Sequence, residues 1–211
     1  MIQNKKQNQT HTRKPGGGSD KIRFILIVAV SRDGKITTGT SEGSSWTSRE
    51  DKTFFGRELD RCDVSIMGRK TYDAIRRPLA LRNRVIFTRN PLFQCSAEYW
   101  NKNDAREDIK RDIKNATVSF SGSAKRLFKL LKKYDWKRIA VLGGNTVYDW
   151  FLKRGMVNEV YLTVEPIVFG GGKKLTSSLP KYLRRCRLLS VKTINTRGTL
   201  LLRYRTINCC A

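Results

Sequence analysis

One carboxylate, Asp51, lies among aromatic residues in a pattern that suits the binding of a flat, nitrogen-rich ring. Trp46 precedes it and Phe54 and Phe55 follow it, so we expect Asp51 to be the only acid in an apolar pocket. Loss of water around a carboxylate raises its pKa, which makes the group useful for protonating a bound substrate. The segment from Ser48 to Asp51 also fits a helix cap, in which the acid serves only the first turn. The sequence leaves both interpretations open.

Two glycines, Gly143 and Gly144, end an apolar run and precede a helical pattern. At such a junction the backbone N–H groups and the helix N-terminus can approach a pyrophosphate without a Cβ atom in between. A glycine pair after a strand is a weak signal by itself, because many such pairs only form tight turns. It gains weight from its order after the Trp46 region.

Basic and hydroxyl side chains follow two other apolar runs. Arg69 comes directly after Gly68, and Thr88 and Arg89 follow the run 85–87. Guanidinium and hydroxyl groups at neighbouring strand ends can hold a phosphate monoester. The alternative is that these arginines are surface residues of a very basic protein.

Taken together, these motifs resemble the dihydrofolate reductase superfamily, which includes the reductase domain of the riboflavin-biosynthesis deaminase-reductase. The resemblance covers residues 22–207, and it rests on the segments 46–55 and 67–72 and on a Gly-Gly-x-x-x-Tyr pattern. It implies an oxidoreductase that uses NADPH rather than NADH and has no metal. A hydride would leave the nicotinamide, and a proton would reach the adjacent ring nitrogen through water while the acid polarises the ring.

The resemblance also implies roles for individual residues. Thr163 matches a threonine that hydrogen-bonds the acid, and Arg82 matches in spacing an arginine for the glutamate carboxylate of the substrate. The implied roles are catalytic for Asp51, Trp46 and Thr163, substrate-binding for Phe55 and Arg82, and cofactor-binding for Gly68, Arg69, Thr71, Thr88, Arg89, Gly143, Gly144, Asn145, Thr146 and Tyr148.

Two substrates fit the resemblance. Asp51, Phe55, Arg82 and Thr163 look like dihydrofolate reductase, whereas the segments 31–36 and 155–173 look like the riboflavin-pathway reductase. An Asp-Asp-Pro segment usual in the riboflavin reductases is replaced here by Ala-Ile-Arg-Arg-Pro at 74–78. We therefore favour dihydrofolate slightly over 5-amino-6-(5-phosphoribosylamino)uracil. A rival of another class is a non-catalytic basic binding protein on the same fold.

The charge of the chain raises nucleic acid as another partner, because its 211 residues carry a net charge of +25. The charge is dispersed, however, and the sequence lacks zinc-finger spacing, an RNP-type aromatic motif and basic heptads. We expect no specific nucleic-acid partner, although loose association with polyanions fits the charge. The cysteines form no Cys-x-x-Cys pair and the only histidine, His11, lies in a polar segment, so zinc sites and a disulfide framework are not expected.

The elements that must position these residues alternate between strands and helices. Polar residues 1–20 are expected to form a disordered basic N-terminal arm, and residues 21–211 a reductase domain. Helical patterns fall at 48–60, 69–76, 123–134 and 145–154, and strands at 24–30, 63–67, 84–88, 117–120, 138–142, 158–165, 186–192 and 199–206.

This order predicts an α/β fold, the three-layer arrangement of dihydrofolate reductase, with a mostly parallel sheet of about eight strands and an antiparallel C-terminal edge hairpin. Residues 31–45 are expected to form a glycine-rich loop and 90–115 an insertion or a long surface loop. No apolar run is long enough to span a membrane, and we expect a cytoplasmic monomer or homodimer without a membrane anchor.

Overall fold

The computed structural model describes residues 21–39, 45–75, 82–89, 116–176 and 185–207. The predicted arm at 1–20 and the predicted loop at 90–115 lie outside these ranges. The division of the chain into an arm and a domain therefore stays a prediction.

Ten strands and four helices make up the described part of the chain. The strands are β1 Arg23–Ser31, β2 Lys35–Thr37, β3 Val64–Gly68, β4 Arg84–Phe87, β5 Thr117–Phe120, β6 Arg138–Gly143, β7 Val157–Glu165, β8 Lys173–Lys174, β9 Cys186–Thr193 and β10 Leu200–Thr206. The helices are α1 Arg49–Asp60, α2 Arg69–Ile75, α3 Ala124–Lys133 and α4 Asn145–Lys153.

Eight of the strands form one sheet in the order β5-β4-β3-β6-β1-β7-β10-β9. The strands from β5 to β7 run parallel, whereas β10 pairs antiparallel with both β7 and β9. The predicted fold class is confirmed, including the antiparallel C-terminal hairpin and its turn near Gly198, which has a φ of 88°.

A second, two-stranded sheet joins β2 to β8. It corrects the expectation that residues 31–45 are only a loop, since Lys35 and Thr37 pair with Lys174 and Lys173. Strands of two and three residues carry too little alternation to be read from sequence.

The core lies on both faces of the large sheet. Strand β1 has a continuous apolar run and is buried on both of its faces. This is the pattern expected of a central parallel strand that helices cover on both sides. On one face α3 and α4 contribute Leu127, Leu130 and Phe151, and on the other α1 contributes Leu59. The carboxyl ends of the parallel strands, including Ser31, Gly68, Gly143 and Glu165, meet at one edge, where ligand sites of such sheets lie.

Of the cysteines, Cys62 and Cys186 are described and are free thiols, and burial raises the pKa of Cys62 to about 11. Within the described ranges no cluster of acidic, histidine or cysteine side chains could hold a metal ion. No helix in those ranges is long and apolar enough to cross a membrane.

Candidate active site

Asp51 lies in the first turn of α1 with only 8% of its surface exposed. Its carboxylate accepts hydrogen bonds from the side chains of Thr163 and Thr47. Burial raises the pKa of Asp51, the two threonines lower it in part, and the nearby Glu165 raises it further. The group therefore holds a proton more readily than an ordinary aspartate.

The N-terminal cap of α1 does not use the Asp51 carboxylate. Ser48 is the N-cap, and its Oγ accepts the N–H of Asp51 at 3.2 Å. In a reciprocal capping box the acid three residues on would accept the N–H of Ser48. Here Glu165 accepts that N–H instead, at 2.7 Å. The geometry thus favours the pocket interpretation of Asp51 over the cap interpretation.

Glu165 is a second buried acid beside Asp51, with 3% of its surface exposed. It also accepts the Thr199 hydroxyl at 2.7 Å. This corrects the expectation that Asp51 is the only acid of the pocket. The sequence did contain a signal for Glu165, namely the alternation of faces along β7. Residues 163 and 165 are two apart and share a face of the sheet, and Thr163 was expected to bond Asp51.

Trp46 and Phe169 form an aromatic pair, on the two segments that the hydrogen bond between Ser48 and Glu165 joins. Their ring centroids are 5.0 Å apart and the rings are nearly perpendicular, at 79°. The Trp46 Nε1 is buried without a hydrogen-bond partner in the described structure. A buried donor without a partner costs free energy, so this N–H is suited to a ligand acceptor. Phe55, on the next turn of α1, is half-buried against the same core as Met67.

Asp33 holds the loop that contains Phe169 and Gly170. Its carboxylate accepts the Ser31 hydroxyl at 2.6 Å and the N–H groups of Phe169 and Gly170 at 3.1 Å each. The Ser31 bond first, then the backbone bonds, lower the pKa of Asp33. The glycine-rich loop that carries Phe169 is thereby tied to the loop after β1.

Gly143, the last residue of β6, is packed closely against Tyr148 of α4. Gly143 has a φ of 94°, and a Cβ there would lie 2.5 Å from the Tyr148 ring. The Tyr148 hydroxyl donates to the Ile27 carbonyl at 3.0 Å and is fully buried, which raises its pKa. Tyr148 therefore supports the glycines, with its polar atom already used inside the protein.

Gly68 and Thr71 complete this junction. A Cβ on Gly68 would lie 3.4 Å from Val147 of α4, and one on Gly144 would lie 3.2 Å from the Thr71 hydroxyl. The ends of β3 and β6 and the start of α4 are thus in contact, as the predicted cofactor site requires. The Gly143–Gly144 peptide bond is cis.

The start of α4 fits a pyrophosphate. Its N-cap, Gly144, has no side chain to bond the first-turn N–H groups, and Thr146 is exposed. Asn145 donates to the Lys174 carbonyl at 2.9 Å, which joins this end of α4 to β8. Unbonded N–H groups at a helix N-terminus attract phosphate, so the residues present fit a dinucleotide cofactor.

Arg69, Thr88 and Arg89 lie at adjacent strand ends, because Gly68 of β3 pairs with Phe87 of β4. Arg69 is half-exposed and makes a long ion pair of 3.7 Å with Asp73, and Arg89 is exposed. Their guanidinium groups are therefore accessible to a phosphate, and this role stays a prediction.

Arg82 lies far from Asp51, at the other end of α1. Its Nε donates to Asp60 at 3.2 Å, at the C-terminal end of α1, whereas Asp51 is near the other end. The rise of an α-helix separates these two ends by about 13 Å. The structure thus brings together Asp51 and Thr163, and separately the glycine junction. Trp46 lies two residues before Ser48 and contacts Phe169, and Arg82 lies at the far end of α1.

Solved structures of other proteins share the fold of this chain. The dihydrofolate reductase of Enterococcus faecalis, solved with NADP(H), superposes with a TM-score of 0.58 at 18% identity, covering 88% of this chain and 97% of the other. The Thermotoga maritima deaminase/5-amino-6-(5-phosphoribosylamino)uracil reductase gives 0.66 at 18% identity, covering 89% of this chain and 57% of that longer one. These structures show the dihydrofolate reductase-like fold.

The family follows from the sequence match. The RibD C-terminal domain model matches residues 23–200, so the chain belongs to that family. An uncharacterised protein of Bacillus subtilis, YyaP, is 26% identical over 175 residues, covering 83% of this chain and 88% of its own length. Membership confirms the expectation of an NADPH-type oxidoreductase of this superfamily, and it favours the riboflavin-pathway type over dihydrofolate reductase.

Proposed function

We propose that the protein is an NADPH-dependent reductase of 5-amino-6-(5-phosphoribosylamino)uracil or a close relative of that pyrimidine. The observation that carries the proposed reductase chemistry is the buried Asp51, whose carboxylate is held by Thr163 and Thr47 and is not used by the helix cap. This substrate replaces dihydrofolate, which the sequence slightly favoured, because the family match covers most of the chain.

Dihydrofolate carries a carbon–nitrogen double bond in its ring, and the ribosylaminopyrimidine gains one when its ribose ring opens, because the C1′–O bond then breaks and C1′ becomes doubly bonded to nitrogen. In each case a hydride can add to the carbon and a proton to the nitrogen of that bond. When bound, the nicotinamide would supply the hydride. Asp51, with its raised pKa, hydrogen-bonds the N–H edge of the ring and supports protonation, and Thr163 orients its carboxylate. The Trp46 N–H, buried without a partner in the described structure, offers a donor to a ligand oxygen.

The cofactor would lie across the edge formed by Gly68, Gly143 and Gly144, with the first turn of α4 facing the pyrophosphate. Arg69 and Arg89 would contact the 2′-phosphate, which distinguishes NADPH from NADH. The loop 170–172 with Lys173 and Lys174 provides exposed positive charge for the ribose phosphate of the substrate.

Dihydrofolate remains the second candidate for one reason. A ligand that extends along α1 from Asp51 would reach Arg82 after about 13 Å, and arginine suits a terminal carboxylate. Against this, Arg82 is already bonded to Asp60.

The test is NADPH oxidation by the purified full chain, followed by absorbance, with each substrate supplied separately. We expect oxidation with the pyrimidine. Oxidation with dihydrofolate alone would overturn the proposed substrate but keep the reductase. A lack of oxidation with both, together with unimpaired NADPH binding, would favour the non-catalytic rival.

A further inference from the structure

Five arginines form a band across one face of the large sheet, near the edge where the parallel strands begin. Arg23 and Arg138 are the first residues of β1 and β6, and the register pairs them side by side. Arg205 of β10 pairs with Arg187 of β9, and Arg203 shares their face because it lies two residues before Arg205. The neighbouring strands β6, β1, β7, β10 and β9 give this arginine band a length of about 19 Å, at about 4.8 Å per strand.

The arginine band lies on the side of the sheet that α1 covers in part. Ile25, two residues after Arg23, belongs to the same apolar cluster as Leu59 of α1. Tyr161, which pairs with Arg203, belongs to that cluster as well. Both halves of the band therefore face the same way.

Three members of the band are open to solvent. Arg23, Arg187 and Arg205 are exposed and make no ion pair within the described ranges. The acid opposite Arg205 in the register is Glu159, and its carboxylate accepts the Tyr161 hydroxyl at 2.9 Å. The three guanidinium groups are therefore accessible to an anion from outside.

The other two members share one buried acid with a third arginine. The side chain of Glu58 in α1 is 3% exposed and accepts from Arg61 at 2.7 Å and from Arg203 at 2.8 Å. Arg138 lies 3.5 Å from its second oxygen. One negative charge thus faces three positive ones, and the Nε–H groups of Arg138 and Arg203 are buried without a partner in the described structure. Excess positive charge with unused donors favours an anionic partner here.

We propose that the arginine band binds the phosphate backbone of single-stranded nucleic acid without sequence specificity. Guanidinium groups bond phosphate oxygens in pairs and also stack on bases. A row of cations across five adjacent strands suits a linear polymer that carries one charge per unit. The net charge of +25 attracts any polyanion, and the band determines where the polyanion is held.

The shape of the surface favours a single strand over a duplex. The Phe54 ring of α1 lies 5.9 Å from the Arg203 guanidinium, so the helix borders the band at β10. An α-helix is about 10 Å across, and α1 therefore stands well above the sheet residues Arg187 and Arg205. A flexible single strand can follow this step down to the sheet, whereas a stiff duplex cannot bend into it without cost.

The band lies at the edge of the sheet opposite the candidate active site. Asp51 is at the start of α1, and Glu58, about two turns later, lies at the band. Nucleic acid and cofactor would therefore bind at different edges of the sheet. This inference does not depend on the proposed reductase activity.

The test is fluorescence anisotropy of a labelled oligouridylate of about 20 nucleotides, titrated with the nuclease-treated full chain at several salt concentrations. We expect the logarithm of the dissociation constant to rise with the logarithm of the salt concentration with a slope of about 2 to 3.5, which corresponds to three to five phosphates. No binding up to about 100 μM protein at low salt would overturn the proposal. Tighter binding of a duplex of the same length, or of phosphatidylserine vesicles, would overturn the assigned partner.

The double variant Arg187→Gln, Arg205→Gln tests the place of binding. We expect the dissociation constant to rise at least about tenfold and the salt slope to fall by about 1.4, because two phosphate contacts are lost. The control is Lys125→Gln, Lys129→Gln, which has the same net charge and changes two exposed residues of α3 on the other side of the sheet.

The control should bind within about twofold of the wild type and keep its salt slope. Equal effects of the two double variants would show that only the overall charge matters and would overturn the assigned surface. Arg187→Lys with Arg205→Lys keeps the charge and should retain most of the affinity. Melting temperature and NADPH affinity should stay at the wild-type values in all variants, because the substituted side chains are exposed and lie away from the glycine junction.

Discussion

At the scale of single residues, the proposed reduction depends on an Asp51 carboxylate that does not cap its own helix. The Ser48 N–H is bonded by Glu165, and the Asp51 carboxylate is turned to Thr163 and Thr47. A carboxylate that stabilises its own helix would have its pKa lowered, whereas burial raises the pKa of this one. Burial of this carboxylate costs stability when the group is charged, and its raised pKa is what the proposed role toward a substrate requires.

Asp51→Asn should lower kcat by about 100-fold or more, since proton transfer by a positioned group contributes about 10²–10⁴-fold. The affinity for NADPH should stay nearly unchanged, because the substituted group faces the substrate side. Steady-state kinetics and NADPH titration measure both. Glu50→Gln, a change in an exposed acid of the same turn, is the control. Full activity of Asp51→Asn would leave the residue without a catalytic role.

The raised pKa of Asp51 also predicts a dependence of stability on pH. The folded protein binds this proton more tightly than the unfolded chain, so the contribution to stability is greatest below the unfolded-state pKa and is lost as the pH rises through the folded-state pKa. The free energy of unfolding of the wild type, minus that of Asp51→Asn, should fall across this window in denaturant titrations. A difference that rises with pH would mean that the carboxylate is stabilised in its charged form.

The sequence predicted the aromatic setting of Asp51 because the relevant residues are neighbours in the chain. It did not predict Glu165, whose partners Ser48 and Thr199 are 117 and 34 residues away. Contacts at such separations depend on how elements are placed, which spacing within one segment does not specify. Tyr148 was assigned from its motif, and only the fold shows that its hydroxyl is bonded to Ile27.

At the scale of elements, Glu165 joins the end of β7, the start of α1 and the C-terminal hairpin. Glu165→Ala should lower the free energy of unfolding by about 3 kcal/mol, because it leaves two buried donors without partners. Glu165→Gln keeps an acceptor for one of them and should cost less. Denaturant unfolding of both variants measures this. Equal stability of wild type and Glu165→Ala would show that these bonds do not hold the elements together.

The small β2–β8 sheet depends on Gly172. Its φ is 99°, and a Cβ there would lie only 2.0 Å from the Thr37 carbonyl oxygen. Gly172→Ala should therefore lower stability by at least about 2 kcal/mol and raise the substrate KM, since the glycine-rich loop would shift. Gly171→Ala is the matched control, because a Cβ at Gly171 meets nothing within 4 Å. The same result for both variants would exclude a specific role for this contact.

The long elements could be predicted because their periodicity is strong and their ends are marked, as for α3 with Ser123 at its N-cap. The sheet order was not predictable from the pattern alone. The short strands β2 and β8 pair residues that are far apart in the chain, and neither has an independent signal.

At the scale of the whole molecule, the net charge of +25 should attract the anionic cofactor. The dissociation constant for NADPH should rise with salt more steeply than that for NADH, because NADPH carries the additional 2′-phosphate. Fluorescence titrations at several ionic strengths measure both slopes. Arg69→Ala should reduce the difference between the cofactors, with the neighbouring Lys70→Ala as control. Parallel slopes would mean that the 2′-phosphate is not bound.

We propose that this chain transfers a hydride from NADPH to the riboflavin-pathway pyrimidine substrate. The test uses NADPH with deuterium at the transferred position and determines the mass of the reduced product, in which the deuterium would lie on the carbon derived from C1′ of the ribose. We predict one deuterium per product molecule with the wild type, and far slower formation of that product with Asp51→Asn. Deuterium in reduced folate but never in the pyrimidine, or in neither, would contradict the claim.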